Sequence, residues 1–261
     1  MTAVSGRRRL PGRENGAPIL ARMPTAVVLT IGNEIVSGDV ENTNASWLAR
    51  RLAALGVVVR LVAAVRDDVE EIAEFLRAES GRSDVLFVTG SLGGTPDDIT
   101  REGVAAAFGL PCIEQEPLAG ELRARFSPRG LGEYAARWAC LPRGAEPLAN
   151  PLGGAPGFVV GNVHVLPGLP SEMKAMFDAI ADRFRGAPIA TWRRTYKTTE
   201  GGIVAVLEEA MRRHPGVLLG SYPRFLADGP EVDVVLKSSD ERALAEAVAW
   251  VEAALAPDAD G

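Results

Sequence analysis

Val88-Thr89-Gly90-Ser91-Leu92-Gly93-Gly94-Thr95-Pro96-Asp97-Asp98-Ile99-Thr100 is the stretch on which the reading of this chain turns. An apolar run ends in three glycines within five residues, and a helical pattern begins just beyond them. A strand that empties into a glycine loop and then a helix brings backbone N–H groups and the positive end of the helix dipole together, which suits an anion. The plain alternative is a tight turn in which Thr95 caps the helix, Pro96 takes its first position, and Asp97 and Asp98 are first-turn acids. Two carboxylates beside a phosphate cradle would repel the phosphate unless a cation lay between them. Asp97 and Asp98 are therefore candidate ligands for a divalent metal.

Outward from this loop, short apolar runs alternate with helix-period segments from residue 26 onward. Strands are predicted over 26–31, 57–65 and 84–88, and helices over 44–55, 69–79 and 99–108. Strand alternating with helix is the pattern of a parallel sheet covered on both faces. Ligands of such sheets sit beyond the carboxyl ends of the strands, near the point where strand order reverses. Residues 117–150 are rich in Arg and Ala and predict helix with poorly defined ends. Two short strands, 157–160 and 163–166, then flank Gly161-Asn162, and a helix follows over 170–185. Past Gly186-Ala187-Pro188 come strand 193–198, helix 202–213, strands 217–221 and 231–237, and helix 240–255. The predicted organisation is a flexible N-terminal tail over 1–24, an α/β domain with a mostly parallel sheet over 25–187, and a small α+β subdomain over 188–261. The tail carries five arginines among Gly, Pro and Ser and has no apolar segment, which argues against a secretory signal.

If the sheet is parallel, four further loops reach the same rim as 88–100. The loop Gly32 to Asn44 offers the carboxylate of Glu34. Asn44 is either a polar contact to a ligand or, like Thr43, the cap of the next helix. In Arg66-Asp67-Asp68, Asp68 followed by Glu71 reads as a capping box, which leaves Asp67 to face the site. Residues 150–158 and 166–173 are dense in Gly and Pro. The second runs from strand into helix with Gly168 before it, Pro170 near its first position and Ser171 in its first turn, again fit for an anion.

Composition narrows the possibilities. With 261 residues, 47% hydrophobic and 24% charged, the chain has the apolar surface for a packed core, which excludes global disorder. A net charge of −6 disfavours coating a polyanion, so no nucleic-acid partner is expected. Cys112 and Cys140 build neither a disulfide framework nor a zinc cluster and read as reduced thiols of a cytoplasmic protein. His164 and His214, fifty residues apart, leave little for a serine-histidine triad. His164 reads as a core histidine, and the four tryptophans as packing residues. No apolar run approaches the roughly 18–20 residues that span a bilayer, so no membrane partner is expected.

The motifs Gly32-Asn33-Glu34, Asn42-Thr43-Asn44, Thr89 to Glu102, 150–158 and 166–177, in this order, resemble the CinA-type branch of the MoaB/Mog molybdopterin-binding superfamily. Gly220-Ser221-Tyr222-Pro223 is similar to that family's small second subdomain. The resemblance implies a three-layer α/β/α MoaB/Mog-like domain with its pocket on the strand-end rim. It implies molybdopterin as the ligand of cofactor-synthesis members, and metal-dependent cleavage of the ADP-ribose pyrophosphate in CinA-type members. By the same resemblance Asp67 and Asp98 match two functional acids, Asp97 matches an extra acid of the CinA branch, and Thr89, Gly90 and Gly93 match the phosphate-side loop. Two residues depart from the pattern: Ser91 stands where the family has glycine, and Gly94 where CinA-type members have proline. The Ser91 hydroxyl could itself donate to a phosphate. With the chain ending near 261, the amidase domain of many CinA proteins, and its deamidation of nicotinamide mononucleotide, are expected to be absent.

The expected function is a nucleotide pyrophosphatase dependent on Mg, Mn or Co and acting on ADP-ribose or a related dinucleotide. Asp97 and Asp98 would be metal ligands, and Asp67, Asp98 and Glu34 the catalytic acids. Thr89, Gly90, Ser91, Gly93, Gly94, Thr95, Asn44, Gly168 and Ser171 would bind the ligand. The alternative is a module that binds molybdopterin or a pterin nucleotide without hydrolysis. Both take a small-molecule partner, and a homo-oligomer is expected from the resemblance. Either reading needs Glu34, Asp67 and Asp98 to meet around one bound anion.

Overall fold

The computed structural model describes residues 23–256. Of the expected tail, residues 1–22 lie outside that range. Met23 is buried, and the Pro24 carbonyl accepts a hydrogen bond from Val58 N at 2.8 Å. The chain divides into two compact units, with the boundary between Arg185 and Gly186.

The first unit begins β1 (Thr25–Ile31), α1 (Asn33–Ser37), α2 (Thr43–Ala54), β2 (Val58–Val65), α3 (Val69–Ser80), β3 (Val85–Thr89) and α4 (Thr100–Phe108). It continues with β4 (Cys112–Glu114), α5 (Glu116–Phe126), α6 (Gly132–Ala136), β5 (Cys140–Pro142), β6 (Glu146–Leu148), β7 (Gly157–Val160), β8 (Val163–Leu166) and α7 (Pro170–Ile180). Six strands form one sheet in the order β2-β1-β3-β8-β7-β6, in which β2, β1, β3 and β8 are parallel and β7 is antiparallel to both its neighbours. Every residue of β3 is buried, the signature of a strand covered on both faces. Alternation along the strands sorts the core into two layers. Ala26, Val28 and Phe87 pack with Leu48, Leu52, Met173 and Phe177 of α2 and α7. Val27, Leu29, Ile31 and Val88 pack with Ile72, Leu76 and Val104 of α3 and α4. The domain is thus the three-layer α/β/α arrangement with a mostly parallel sheet.

The stretch 117–150 differs from its helical prediction. It holds α5 and α6, but also β5, which pairs with β4, and β6, which joins the main sheet as an edge strand. Strands of three residues are too short to show a period of two, and Pro142 and Pro147 within them read as breakers, although an edge strand tolerates proline.

His164 in β8 lies in an aromatic cluster, with ring centroids 5.4 Å from Phe87 and 5.0 Å from Phe184. Burial lowers its pKa from 6.5 to about 4. The unfolded chain therefore takes up this proton first as pH falls. The contribution to stability is full above about pH 6.5 and is lost between there and about pH 4, in total about 3 kcal/mol. Urea midpoints measured from pH 7.5 to 4.5 should fall more steeply for the wild type than for His164→Phe. Parallel curves would show that His164 carries no such penalty.

The second unit, described from Gly186 to 256, contains β9 (Ala190–Tyr196), α8 (Glu200–Arg213), β10 (Leu218–Leu226), β11 (Gly229–Ser238) and α9 (Glu241–Ala254). An antiparallel sheet, β10-β11-β9, packs Val232, Val234 and Leu236 against Ile203, Leu207, Leu244 and Val251 of the two helices. The strand predicted over 217–221 runs on through Pro223, because β10 is an edge strand. No helix among the described residues is long and apolar enough to cross a membrane.

Candidate functional site on the strand-end rim

Strand order reverses around β1, which lies between β2 and β3. The loops leaving β1, β2, β3 and β8 all emerge at the carboxyl ends of parallel strands and share one rim, where such sheets bind ligands. At the switch point lies a cavity of about 120 Å³ lined by Thr30, Glu34, Asn42, Asn44, Gly90 and Gly168, among others. At about 30 Å³ per water, it would take roughly four waters, or one end of a nucleotide.

The helix that follows the first loop is capped by Asn42, not by Asn44 or Thr43. The Asn42 Oδ1 accepts from Ala45 N at 3.1 Å and from the Thr30 hydroxyl at 3.0 Å. Asn44 is 7% exposed and serves another purpose. Its Nδ2 donates to the Gly168 carbonyl at 2.8 Å and to Thr89 Oγ1 at 3.1 Å, while Thr89 Oγ1 donates to the Pro167 carbonyl at 2.7 Å. A carbonyl only accepts, so the amide nitrogen must face Gly168 and the amide orientation is determined. Asn44 Oδ1 is then left buried with no partner among the described residues. An orphaned acceptor in a cavity wall calls for a donor. Thr89 is 0% exposed and both roles of its hydroxyl are taken, which corrects its assignment to phosphate binding: it positions Asn44.

Glu34 lines the same cavity, and its carboxylate folds back over Gly32, where an added Cβ would meet Oε1 at 2.6 Å. The neighbouring acid is committed elsewhere. Asp67 Oδ2 accepts from Asn33 N at 2.8 Å and Asn33 Oδ1 accepts from Asp67 N at 3.3 Å, so Asp67 pins the start of α1 and thereby Glu34. Asp68 caps α3 through Glu70 N and Glu71 N, both at 3.0 Å. The expected capping box is incomplete, because the Glu71 side chain pairs with Arg66. Neither Asp67 nor Asp98 lines the cavity. Of the three acids expected to meet around one bound anion, only Glu34 lines the cavity; Asp67 is tied to Asn33 at the start of α1, and Asp98 to the glycine loop. With Glu34, Glu41 and the Asn44 Oδ1 among its polar groups, the cavity suits hydroxyl or amino donors better than a phosphate.

The glycine loop is built around its own acid. Asp98 accepts from Gly93 N at 2.7 Å, from Thr95 N at 2.8 Å and from the Thr95 hydroxyl. Helix α4 starts at Thr100, so neither Thr95 nor Pro96 begins it. Ser91 sits at φ 47, in the left-handed region that favours glycine. Its hydroxyl donates to the Asp97 carbonyl at 2.9 Å and accepts from Ile99 N at 3.0 Å. That corrects the expectation that it is free to donate to a phosphate. Sequence reasoning missed Arg101, which is 4% exposed. It donates to the carbonyls of Gly93 and Leu92 at 2.8 and 2.6 Å and clamps the loop. An arginine in the first turn of a helix opposes the dipole, and that anomaly was the available signal. Asp97 is exposed.

Among the described residues, no group of three or more His, Cys, Asp or Glu side chains is placed to hold a metal ion. Asp98 uses three of its roughly four lone-pair positions within the loop. Asp97 and Asp98 therefore form no protein-only cage, and a hard ion held there would have to draw most of its ligands from phosphate oxygens and water.

At the far side of the cavity, α7 begins at Pro170 with no side-chain cap. Gly168 and Ser171 are exposed there, a helix N-terminus open to an anion. A larger hollow of about 480 Å³ lies in the second unit between α8 and β10. It is lined by Val204, Leu207, Met211 and Leu219 together with Glu200, Glu208 and Ser221, and the Ser221 hydroxyl donates to Glu200.

A three-layer domain with its site on this rim defines a class, and comparison with known proteins assigns it. Residues 27–186 match the family described as "Probable molybdopterin binding domain", and residues 193–259 match "FAD synthase, middle domain". A relative from Aeropyrum pernix is 41% identical over 246 residues, covering 88% of this chain and 91% of its own length. A CinA-like protein of Frankia casuarinae is 38% identical over 242 residues, covering 85% of this chain, and the chain spans 55% of that relative's length. The crystal structure of the protein CinA of unknown function from Thermoplasma acidophilum shares 34% identity, with a TM-score of 0.58 over 62% of this chain and 98% of that one. The chain belongs to the molybdopterin-binding-domain family, among its CinA-like proteins.

Proposed function

We propose that the chain binds a nucleotide diphosphate on this rim and hydrolyses it with the help of a divalent metal, ADP-ribose or a related dinucleotide being the substrate. The observation that carries this reading is the pairing of an acceptor-lined cavity with the uncapped, anion-suited start of α7 beside it. A ribosyl or base end supplies the hydroxyl and amino donors that Asn44 Oδ1 and Glu34 lack. The diphosphate lies outside, toward the 90–95 loop and the uncapped start of α7. The match of residues 193–259 to a domain of FAD synthase supports a nucleotide-related role.

Hydrolysis adds water across the P–O–P linkage and yields AMP and ribose 5-phosphate. Asp97 and Asp98 would hold Mg, Mn or Co, and such an ion, when bound, neutralises charge on the phosphoryl oxygens. Glu34 orients water or a substrate hydroxyl, Asp67 keeps Glu34 in place, and backbone amides at Gly168 and Ser171 hold phosphate oxygens. Two exposed-chemistry arguments extend the reading to the partner and the compartment. The net charge of −6 supports a small-molecule partner, with no shift of DNA expected in a gel at moderate salt, and free Cys112 and Cys140 support a cytoplasmic setting.

A second reading, binding of molybdopterin or a pterin nucleotide without hydrolysis, is favoured by the description of the matched family. A pterin amino group would also satisfy the cavity's acceptors. Incubation with ADP-ribose and each of Mg²⁺, Mn²⁺ and Co²⁺, read by chromatography, is expected to yield AMP. No product with any of the three would overturn the hydrolase reading, and saturable pterin binding would then select the second.

A further inference from the structure

The segment 116–139 faces the glycine loop through two aromatic rings. Trp138 is 8% exposed and is held edge to face by Phe126 and Tyr134, at centroid distances of 5.2 and 5.6 Å and interplanar angles of 84° and 75°. Its ring orientation is therefore set by packing. The same packing leaves the indole Nε1 buried with no partner among the described residues. An indole N–H is only a donor, and leaving one buried and unpaired is costly.

That nitrogen lies beside the glycine loop. A Cβ added to Gly94 would lie 3.0 Å from Trp138 Nε1 and 2.9 Å from Tyr134 Cε2. Any side chain at residue 94 would have to displace one of these rings. This explains glycine where the resemblance expects proline: a bare position lets the Tyr134 and Trp138 rings, and with them the indole N–H, pack directly against the loop.

We propose that Trp138 is a ligand-binding residue whose indole N–H donates to an oxygen of the diphosphate held at the 90–95 loop. The assignment rests on the reading that a diphosphate binds there. It adds a donor from a segment that the rim loops do not include.

The test uses the full chain labelled with ¹⁵N, whose four indole N–H signals are separable, with Trp138 identified by its loss in Trp138→Phe. Addition of ADP-ribose, or of inorganic pyrophosphate, each with Mg²⁺, should move the Trp138 signal downfield and leave those of Trp47, Trp192 and Trp250 nearly in place. In Trp138→Phe, which keeps the ring packing, affinity for both probes should fall on the order of 10-fold, as expected for a hydrogen bond to a charged acceptor. If the wild type binds ADP-ribose while the Trp138 signal stays put, or the variant binds equally well, this inference falls and the proposed function stands. A signal that responds to ADP-ribose but not to pyrophosphate overturns the diphosphate as its acceptor. No binding of either probe to the wild type removes both readings.

Discussion

Gly90→Ala is expected to cost the first unit about 3 kcal/mol or more and to close the cavity. Gly90 has φ 114, a conformation that costs a side-chain-bearing residue about 1–3 kcal/mol. A second penalty comes from position. The added Cβ would collide with the backbone carbonyl oxygen of Ile31, and β1 and β3, fixed side by side in the sheet, cannot move apart to relieve it. Gly168 closes the other side, where its own Cβ would stand 3.2 Å from the Gly90 Cα. Thermal unfolding should show a fall of about 6–12 °C for a unit of this size. Gly38→Ala is the control, because it has φ 83 but nothing within 4 Å of the added Cβ, and should cost only about 1 kcal/mol. Equal losses in the two variants would show that the close approach at Gly90 carries no weight.

Asp98→Asn is expected to reduce turnover of ADP-ribose on the order of 100-fold, the scale on which small misplacements in an active site act. The carboxylate organises the loop through three hydrogen bonds and supplies negative charge for the proposed ion. An amide can keep one acceptor, but it turns an NH₂ group toward either Gly93 N or Thr95 N, each of which is itself a donor. The loop opens on that side and the negative charge for a shared ion is lost. Full turnover by Asp98→Asn would contradict the ligand assignment, whatever its effect on stability. A loss of stability of about 1–3 kcal/mol with normal turnover would confine Asp98 to its structural role.

The positions of the elements were legible because β3 and β1 are continuous apolar runs and α2, α3 and α7 carry one apolar face each. Local pattern sees such periodicity directly. The rim was legible for a related reason, since parallel strands send every following loop to the same end. The middle segment was not, because β4, β5 and β6 are three residues each and exist only through partners that are distant in sequence.

By itself, the sequence determined the layered α/β fold, the second α+β unit and the set of loops that share the rim, because those follow from periodicity and chain direction. Only the tertiary structure decided what each polar group does there. Asp98 turns inward to its own loop, Asp67 ties down α1, Thr89 serves Asn44, and Arg101 clamps the glycines. Two of the buried atoms left without partners among the described residues, Asn44 Oδ1 and Trp138 Nε1, are likewise invisible to local pattern. A hydrogen bond depends on distance and angle between groups up to 124 residues apart, as between Asn44 and Gly168, and no spacing along the chain encodes that geometry.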